Sequence, residues 1–216
     1  MIERGAEGIK AVLFDMDGVL IDATDWHYEA LNDALALFGM AIPREQHLAV
    51  YDGLPTRHKL KTLTLTRGLP ARLHDFINEL KQRRTLELAF THCRPKFIHQ
   101  FALSRLKAEG YRLAVCSNSI RQTVDAMLGR AALDLYLEFS LSNEDVTRAK
   151  PHPEIYSAAM ARMGVSPASC VVVEDNANGI EAAKAAGAHC LEVASVHDVT
   201  YERITRFIAA VEGRMR

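Results

Sequence analysis

Cysteine is sparse and scattered. Cys93, Cys116, Cys170 and Cys190 are the four thiols in 216 residues and never form a CxxC pair, which excludes a dense disulfide framework and the ligand spacing of a structural zinc site. Cys116 and Cys170 stand in apolar, strand-like runs where a buried reduced thiol is expected, so a reducing cytoplasm is the expected compartment. Long apolar runs are also missing: none approaches the ~18 residues of a membrane span. The first ten residues contain Glu3, Arg4 and Glu7 without an apolar centre, and no secretory signal is expected there. Neither sign of charge is in excess, because 26 Lys+Arg face 27 Asp+Glu. That balance provides no domain-wide basic field for nucleic acid, and any bound anion must be met by local groups. None of the nine histidines falls in an HExxH-type ligand pair.

What is present is globular. Apolar residues make up 49% and charged residues 25% of the chain, which gives no reason to expect disorder. The length suits one large domain, or one domain carrying an insertion. The sequence does not set the oligomeric state, and a monomer is compatible with it.

Four short apolar runs end in polar or glycine-containing turns: Ala11-Val12-Leu13-Phe14, Leu113-Ala114-Val115-Cys116, Cys170-Val171-Val172-Val173 and Cys190-Leu191-Glu192-Val193. Such runs read as strands buried on both faces, as in a parallel sheet. From Pro95 onward they alternate with helical patterns, for example Ile155, Tyr156, Ala159, Met160 and Met163, and this alternation predicts βαβ units and an α/β fold. Between the first and second strands the pattern is helical only. Trp26, Ala30, Leu31, Ala34, Leu35 and Phe38 recur at helical spacing, as do Leu73, Phe76, Ile77 and Leu80. Residues 23–92 are therefore read as a helical lid. An insert after the first strand of a parallel sheet sits over the carboxyl ends of the strands, where open α/β sheets bind ligands.

Those strand ends carry the chemistry. Asp15 and Asp17 close the first strand in Phe14-Asp15-Met16-Asp17-Gly18-Val19, and Glu174-Asp175 closes another. Either pair alone suits a helix cap. In a parallel sheet, however, all carboxyl ends share one edge, and two acidic pairs there can converge on a hard cation with oxygen ligands, most simply Mg²⁺. Ser117-Asn118-Ser119 follows a third strand and precedes a helix, where a hydroxyl and backbone N–H groups make an anion site. Lys150-Pro151 projects a lysine from an extended loop. A carboxylate nucleophile, a hydroxyl, a lysine and an acidic metal pair are the parts that phosphoryl transfer needs. The basic cluster Lys81, Arg83 and Arg84 lies on a helical pattern and is read as a solvated face.

In this order the motifs resemble the haloacid dehalogenase superfamily, in the capped phosphatase and phosphomutase branch that includes β-phosphoglucomutase. Asp15-Met16-Asp17-Gly18-Val19 is similar to its first motif, Ser117-Asn118 to the second, Lys150-Pro151 to the third, and Glu174-Asp175 with Gly179–Gly187 to the fourth. The resemblance implies a Rossmann-like parallel sheet core over residues 1–22 and 93–216, with a small all-helical cap over 23–92. It also implies catalytic roles. Asp15 would attack phosphorus to give an aspartyl-phosphate, and Asp17 would act as acid and then base. Ser117, Lys150 and Asn118 would hold the phosphoryl group, and Asp15, the Asp17 carbonyl, Asp175 and Glu174 would bind Mg²⁺. His27, Gly53 and Arg57 of the cap would contact the substrate.

The implied activity is a Mg²⁺-dependent phosphatase of a small phosphorylated metabolite, with a sugar phosphate the favoured substrate, acting through that intermediate. A phosphomutase is the alternative within catalysis. Counting from Gly53, the lysine and arginine of the mutase pattern meet Asp52 and Thr56. The grip on a second phosphate would then fall to Arg57, Lys59 or Lys61. A phospho-accepting signalling or binding protein without turnover is the remote alternative; receiver domains share the Asp, hydroxyl and Lys but lack so long a helical insert.

Overall fold

A computed structural model describes residues 8–214; the amino-terminal residues used above to discount a secretory signal lie mostly outside them. Five parallel strands form the sheet: β1 (Ala11–Phe14), β2 (Arg112–Cys116), β3 (Phe139–Leu141), β4 (Cys170–Glu174) and β5 (His189–Glu192), in the order β3-β2-β1-β4-β5. Central β1 aligns Phe14 with Val115 on one side and Val173 on the other. The residues that follow these three, Asp15, Cys116-Ser117 and Glu174-Asp175, therefore emerge together at one edge.

Side chains alternate across the strands, so each feeds two apolar layers. Val12, Phe14, Leu113, Val115, Val171 and Val173 pack on one face with Leu103, Leu106, Met127 and Ile204. Leu13, Ala114, Cys116 and Val172 pack on the other with Ile155, Tyr156, Met160 and Ala183. The helices that cover these faces are α5 (Phe97–Ala108), α6 (Arg121–Ala131), α7 (Glu154–Met163), α8 (Ala177–Ala185) and α9 (Tyr201–Val211). All four cysteines are free thiols. No helix among the described residues is long and apolar enough to cross a membrane.

The sequence reading missed β3. Phe139 and Ser140 are only partly buried at the sheet margin and Leu141 alone is buried, so Phe139-Ser140-Leu141 lacks the continuous apolar run by which the central strands announce themselves.

Between β1 and β2 the chain is helical: α1 (Thr24–Ala36), a short α2 (Arg44–Gln46) that continues as a π-helical turn over His47–Tyr51, α3 (Thr56–Arg67), and α4 (His74–His92). α1 packs along α4. This segment has an apolar cluster of its own, with Leu31, Leu35, Ile42, Tyr51, Leu60, Leu63 and Ile77 fully buried.

Candidate active site

Lys150 ties the strand edge together. Its Nζ donates to Asp15 Oδ1 at 2.5 Å and to Glu174 Oε1 at 2.6 Å, and the side chain is 3% exposed. Asn118 fixes the lysine backbone: its Oδ1 accepts from the Lys150 N–H at 3.1 Å and its Nδ2 donates to the Lys150 carbonyl at 3.3 Å. The Lys150–Pro151 bond is cis. Tyr156, beneath, donates its hydroxyl to Glu174 Oε1 at 2.5 Å. Burial works against the charge on Lys150, but Asp15 and Glu174 outweigh it and hold the ammonium above its usual pKa. Burial raises the Asp15 pKa well above the ordinary value; Lys150 opposes this, while Glu174, Asp17 and Asp175 add to it.

Carboxylate oxygens of Asp15, Glu174 and Asp175 lie within 4.8 Å of one another. Asp175 Oδ1 is buried and has no hydrogen-bond partner, and burial with the nearby Glu174 pushes its pKa up to about 7. Three acids with one lysine among them form a cluster of hard oxygen donors that is short of positive charge. Gly18 makes room for it: with φ +87°, a Cβ there would stand 2.0 Å from Asp175 Oδ2.

Asp17 faces outward from this cluster. Ser119 Oγ donates to its Oδ2 at 2.9 Å, and His27 Nε2, on α1, lies 3.1 Å from its Oδ1. Lys81 Nζ of α4 stands 3.0 Å from His27 Nδ1. Burial would raise the Asp17 pKa, but His27, Ser119 and Lys81 together hold it below the usual carboxylate value. Burial and Lys81 lower that of His27, against the pull of Asp17.

A cavity of about 280 Å³ opens between the strand edge and the helical segment. Asp15, Asp17, Lys150, Glu174 and Asp175 form its floor; His27, Gly53, Arg57, Lys59 and Lys81 are on its opposite wall. The loop holding Gly53 rests directly on the sheet side. Asn118 Nδ2 donates to the Gly53 carbonyl at 3.0 Å, and Asn176 Nδ2 donates to Asp52 Oδ2 at 3.1 Å. Gly53 has φ +69°, and a Cβ there would meet Asn176 Oδ1 at 2.4 Å.

The residues expected from the sequence thus converge, with one qualification. Ser117, 1% exposed, lies at the end of β2 and accepts from the Ser119 N–H at 3.0 Å; the cavity wall at this point is formed by Asn118, Ser119 and Ile120. The solvated-face reading of Lys81 fails. Lys81 is 6% exposed, whereas Arg83 and Arg84 are at the surface in ion pairs with Glu79, Glu29 and Asp33. Ile77, Lys81, Thr85 and Leu88 form one buried stripe of α4, so the i, i+4, i+8 spacing carried a signal that the adjacent arginines masked. The contacts of Ser119 with Asp17 and of Asp52 with Asn176 are not marked in the sequence; Asn176, which caps α8, looks like an ordinary helix cap there.

A family model described as haloacid dehalogenase-like hydrolase matches residues 12–193. The chain is 31% identical to a phosphorylated carbohydrates phosphatase of Thermotoga maritima over 182 residues, covering 83% of this chain and 82% of that protein. The crystal structure of CbbY from Rhodobacter sphaeroides in complex with phosphate superposes with a TM-score of 0.74 at 27% identity, over 84% of each chain. β-Phosphoglucomutase from Clostridium difficile shares the fold, with a TM-score of 0.82 at 20% identity over 94% of this chain and 98% of that one.

Proposed function

The chain belongs to the haloacid dehalogenase-like hydrolases, and from that premise we propose that it is a Mg²⁺-dependent phosphatase that hydrolyses a small phosphorylated metabolite, a sugar phosphate in the first instance, through an aspartyl-phosphate on Asp15. Residues 23–92 act as a cap over a core made of 1–22 and 93–216. The reading is carried by one observation: Lys150 bridges Asp15 and Glu174 at a strand edge where Asp175 and Asp17 also converge.

Asp15 is the nucleophile. Its carboxylate is held by Lys150, which fixes its direction and, with Ser117 and Asn118 nearby, supplies positive charge and donors for the phosphoryl oxygens. Asp17 has a different environment and a different task. Ser119 and His27 orient it toward the cavity, where it gives a proton to the departing alcohol and later takes one from the water that attacks the acyl phosphate. The two aspartates have different partners: Lys150 holds Asp15, while His27 and Ser119 face Asp17.

The acidic cluster fits a hard divalent cation. Asp15, Glu174 and Asp175 would hold Mg²⁺ with the carbonyl of Asp17, and the unpartnered, buried Asp175 Oδ1 is the donor that most needs it. When bound, the ion supplies charge neutralisation for phosphoryl oxygens. The cap contacts made by Asp52 and Gly53 exclude water from the cavity while the phosphoryl group is transferred, and they must part for alcohol to leave. Four unpaired thiols suit a reducing cytoplasm.

Phosphatase is preferred to mutase because Asp52, not a cation, stands beside Gly53 and is held by Asn176. Purified protein with Mg²⁺ is to be screened against sugar phosphates, nucleotides and small phosphate esters, including α- and β-glucose 1-phosphate with a bisphosphate primer. Release of inorganic phosphate is expected. Conversion to the isomeric sugar phosphate would favour a mutase, and inertness on every ester would defeat both readings.

A further inference from the structure

Asp52 is a half-buried acid of the cap, and it docks on the strand edge that already gathers Asp15, Glu174 and Asp175. Its Oδ2 accepts from Asn176 Nδ2 at 3.1 Å, and its main-chain carbonyl accepts from Asn178 Nδ2 at 3.4 Å. No cation among the described residues is within the 4.0 Å of an ion pair with its carboxylate. Hydrolysis behind a cap needs this loop both to close and to part, and the surroundings of Asp52 pull it both ways.

Toward closure act the amide of Asn176 and the end of α8. Asn176 is the N-cap of that helix: its Oδ1 accepts from the Asn178 N–H at 3.0 Å, which leaves its NH₂ for Asp52 and fixes the direction in which it is offered. A carboxylate beside a helix N-terminus is also favoured by the helix dipole. Against closure acts like charge. Asn176 directly follows Asp175, so Asp52 docks one residue from a buried acid whose Oδ1 has no hydrogen-bond partner. Burial and Glu174 lead in raising the Asp175 pKa, and Asp52 adds to them. Lys150, the cation within the cluster, is already shared by Asp15 and Glu174. In a partly dehydrated cavity such repulsion is stronger than in water, and a divalent cation among the acids reverses its sign.

We propose that Asp52 is a positioning residue that ties closure of the cap to occupation of the acidic cluster. With a divalent cation among Asp15, Glu174 and Asp175, the Asp52 carboxylate is attracted to the strand edge and holds the Gly53 loop on Asn118 and Asn176. Without the cation, like charge favours the parted arrangement, and the cavity stays open to cation and ester. The enclosed site therefore forms over a loaded cluster and not over an inactive one. This rests on the proposed cap and cation site and assigns them a coupling that neither implies. The coupling is reciprocal: what Asp52 adds to closure when the cation is held, it adds to the holding of the cation.

Hydrogen–deuterium exchange of the full chain, with EDTA or with Mg²⁺ and no substrate, tests the coupling. In the wild type Mg²⁺ should slow exchange across residues 52–57 by about tenfold. Asp52→Asn keeps an acceptor for Asn176 and removes the charge. Its exchange in EDTA should be as slow as that of the wild type or slower, and its response to Mg²⁺ should fall below about twofold. A contact that is merely structural would loosen in Asp52→Asn under both conditions, which would count against the coupling. Calorimetric titration of Mg²⁺ into the same two proteins reads occupation directly, and the affinity should fall roughly three- to tenfold in Asp52→Asn. Mg²⁺ binding that leaves residues 52–57 of the wild type unchanged, or an equal response in Asp52→Asn, would overturn the coupling and leave the phosphatase reading intact. Absence of Mg²⁺ binding would overturn the coupling and the cation site together. Neither measurement needs turnover, so inertness in the ester screen defeats the phosphatase reading alone.

Discussion

His27 Nε2 stands 3.1 Å from Asp17 Oδ1, so a helix of the inserted segment reaches a carboxylate of the strand edge. With Ser119 on its other oxygen, Asp17 is held from both sides. Removing its proton-transfer capacity by Asp17→Asn should lower kcat by roughly 10²–10⁴-fold. His27→Gln leaves the carboxylate in place and should cost less, about tenfold, with the loss in kcat and not in KM. Steady-state kinetics on the best substrate of the screen checks both; equal and small effects would remove Asp17 from the proton transfer.

The acidic cluster should make activity depend on a divalent cation. Chelation with EDTA is expected to abolish phosphate release and Mg²⁺ to restore it. Asp175→Asn, which removes a buried and otherwise unpartnered charge, should raise the Mg²⁺ concentration for half-maximal activity at least about tenfold. Full activity in EDTA would remove the ion from the reaction.

Gly53 should tolerate no side chain. Its φ of +69° and the 2.4 Å approach of Asn176 Oδ1 to a Cβ predict that Gly53→Ala lowers kcat/KM by roughly tenfold. Adding Asn176→Ala should recover part of the loss by clearing the contact, leaving only the backbone strain. A double-mutant cycle measures the recovery, and strict additivity would show that the loop does not close on Asn176.

The buried lysines should leave a signature in stability. Lys81 has a pKa of about 7 and Lys59 about 8 in the folded chain, both below the ordinary 10.5. Between pH 7 and 8.5 the unfolded chain therefore binds more protons at these sites than the folded one, and their contribution to stability rises with pH. The groups that act on them are Asp17, Asp52, His27 and His47. Relative to wild type, a Lys59→Met/Lys81→Met variant should gain least, or lose most, at the alkaline end of this window. Urea unfolding at several pH values in the absence of Mg²⁺ reads the difference; a flat difference would show the lysines to be solvated.

Much of this architecture was legible in the sequence because its signals are local. The apolar runs around Val12, Ala114 and Val172 mark central strands, and acids at their ends must share an edge once the strands are parallel. The helical spacing from Trp26 to Leu80 marked the insert. What was not legible depends on how the insert lies against the sheet. Lys81 looked solvated beside Arg83 and Arg84 until the stripe through Ile77 and Thr85 placed it inward. Asp52 and Asn176 are 124 residues apart and meet only across the cavity. The short strand at Phe139 is too exposed at the sheet margin to carry a pattern.

Borohydride quenching during turnover tests the role of Asp15 most directly. Hydride reduces an acyl phosphate to the alcohol, so an aspartyl-phosphate at this position is converted to homoserine, which peptide mass spectrometry detects. Homoserine at position 15, formed only with substrate and Mg²⁺ and accompanied by loss of phosphate release in Asp15→Asn, is the expected result. Sustained phosphate release with position 15 unmodified, or undiminished release by Asp15→Asn, would contradict it.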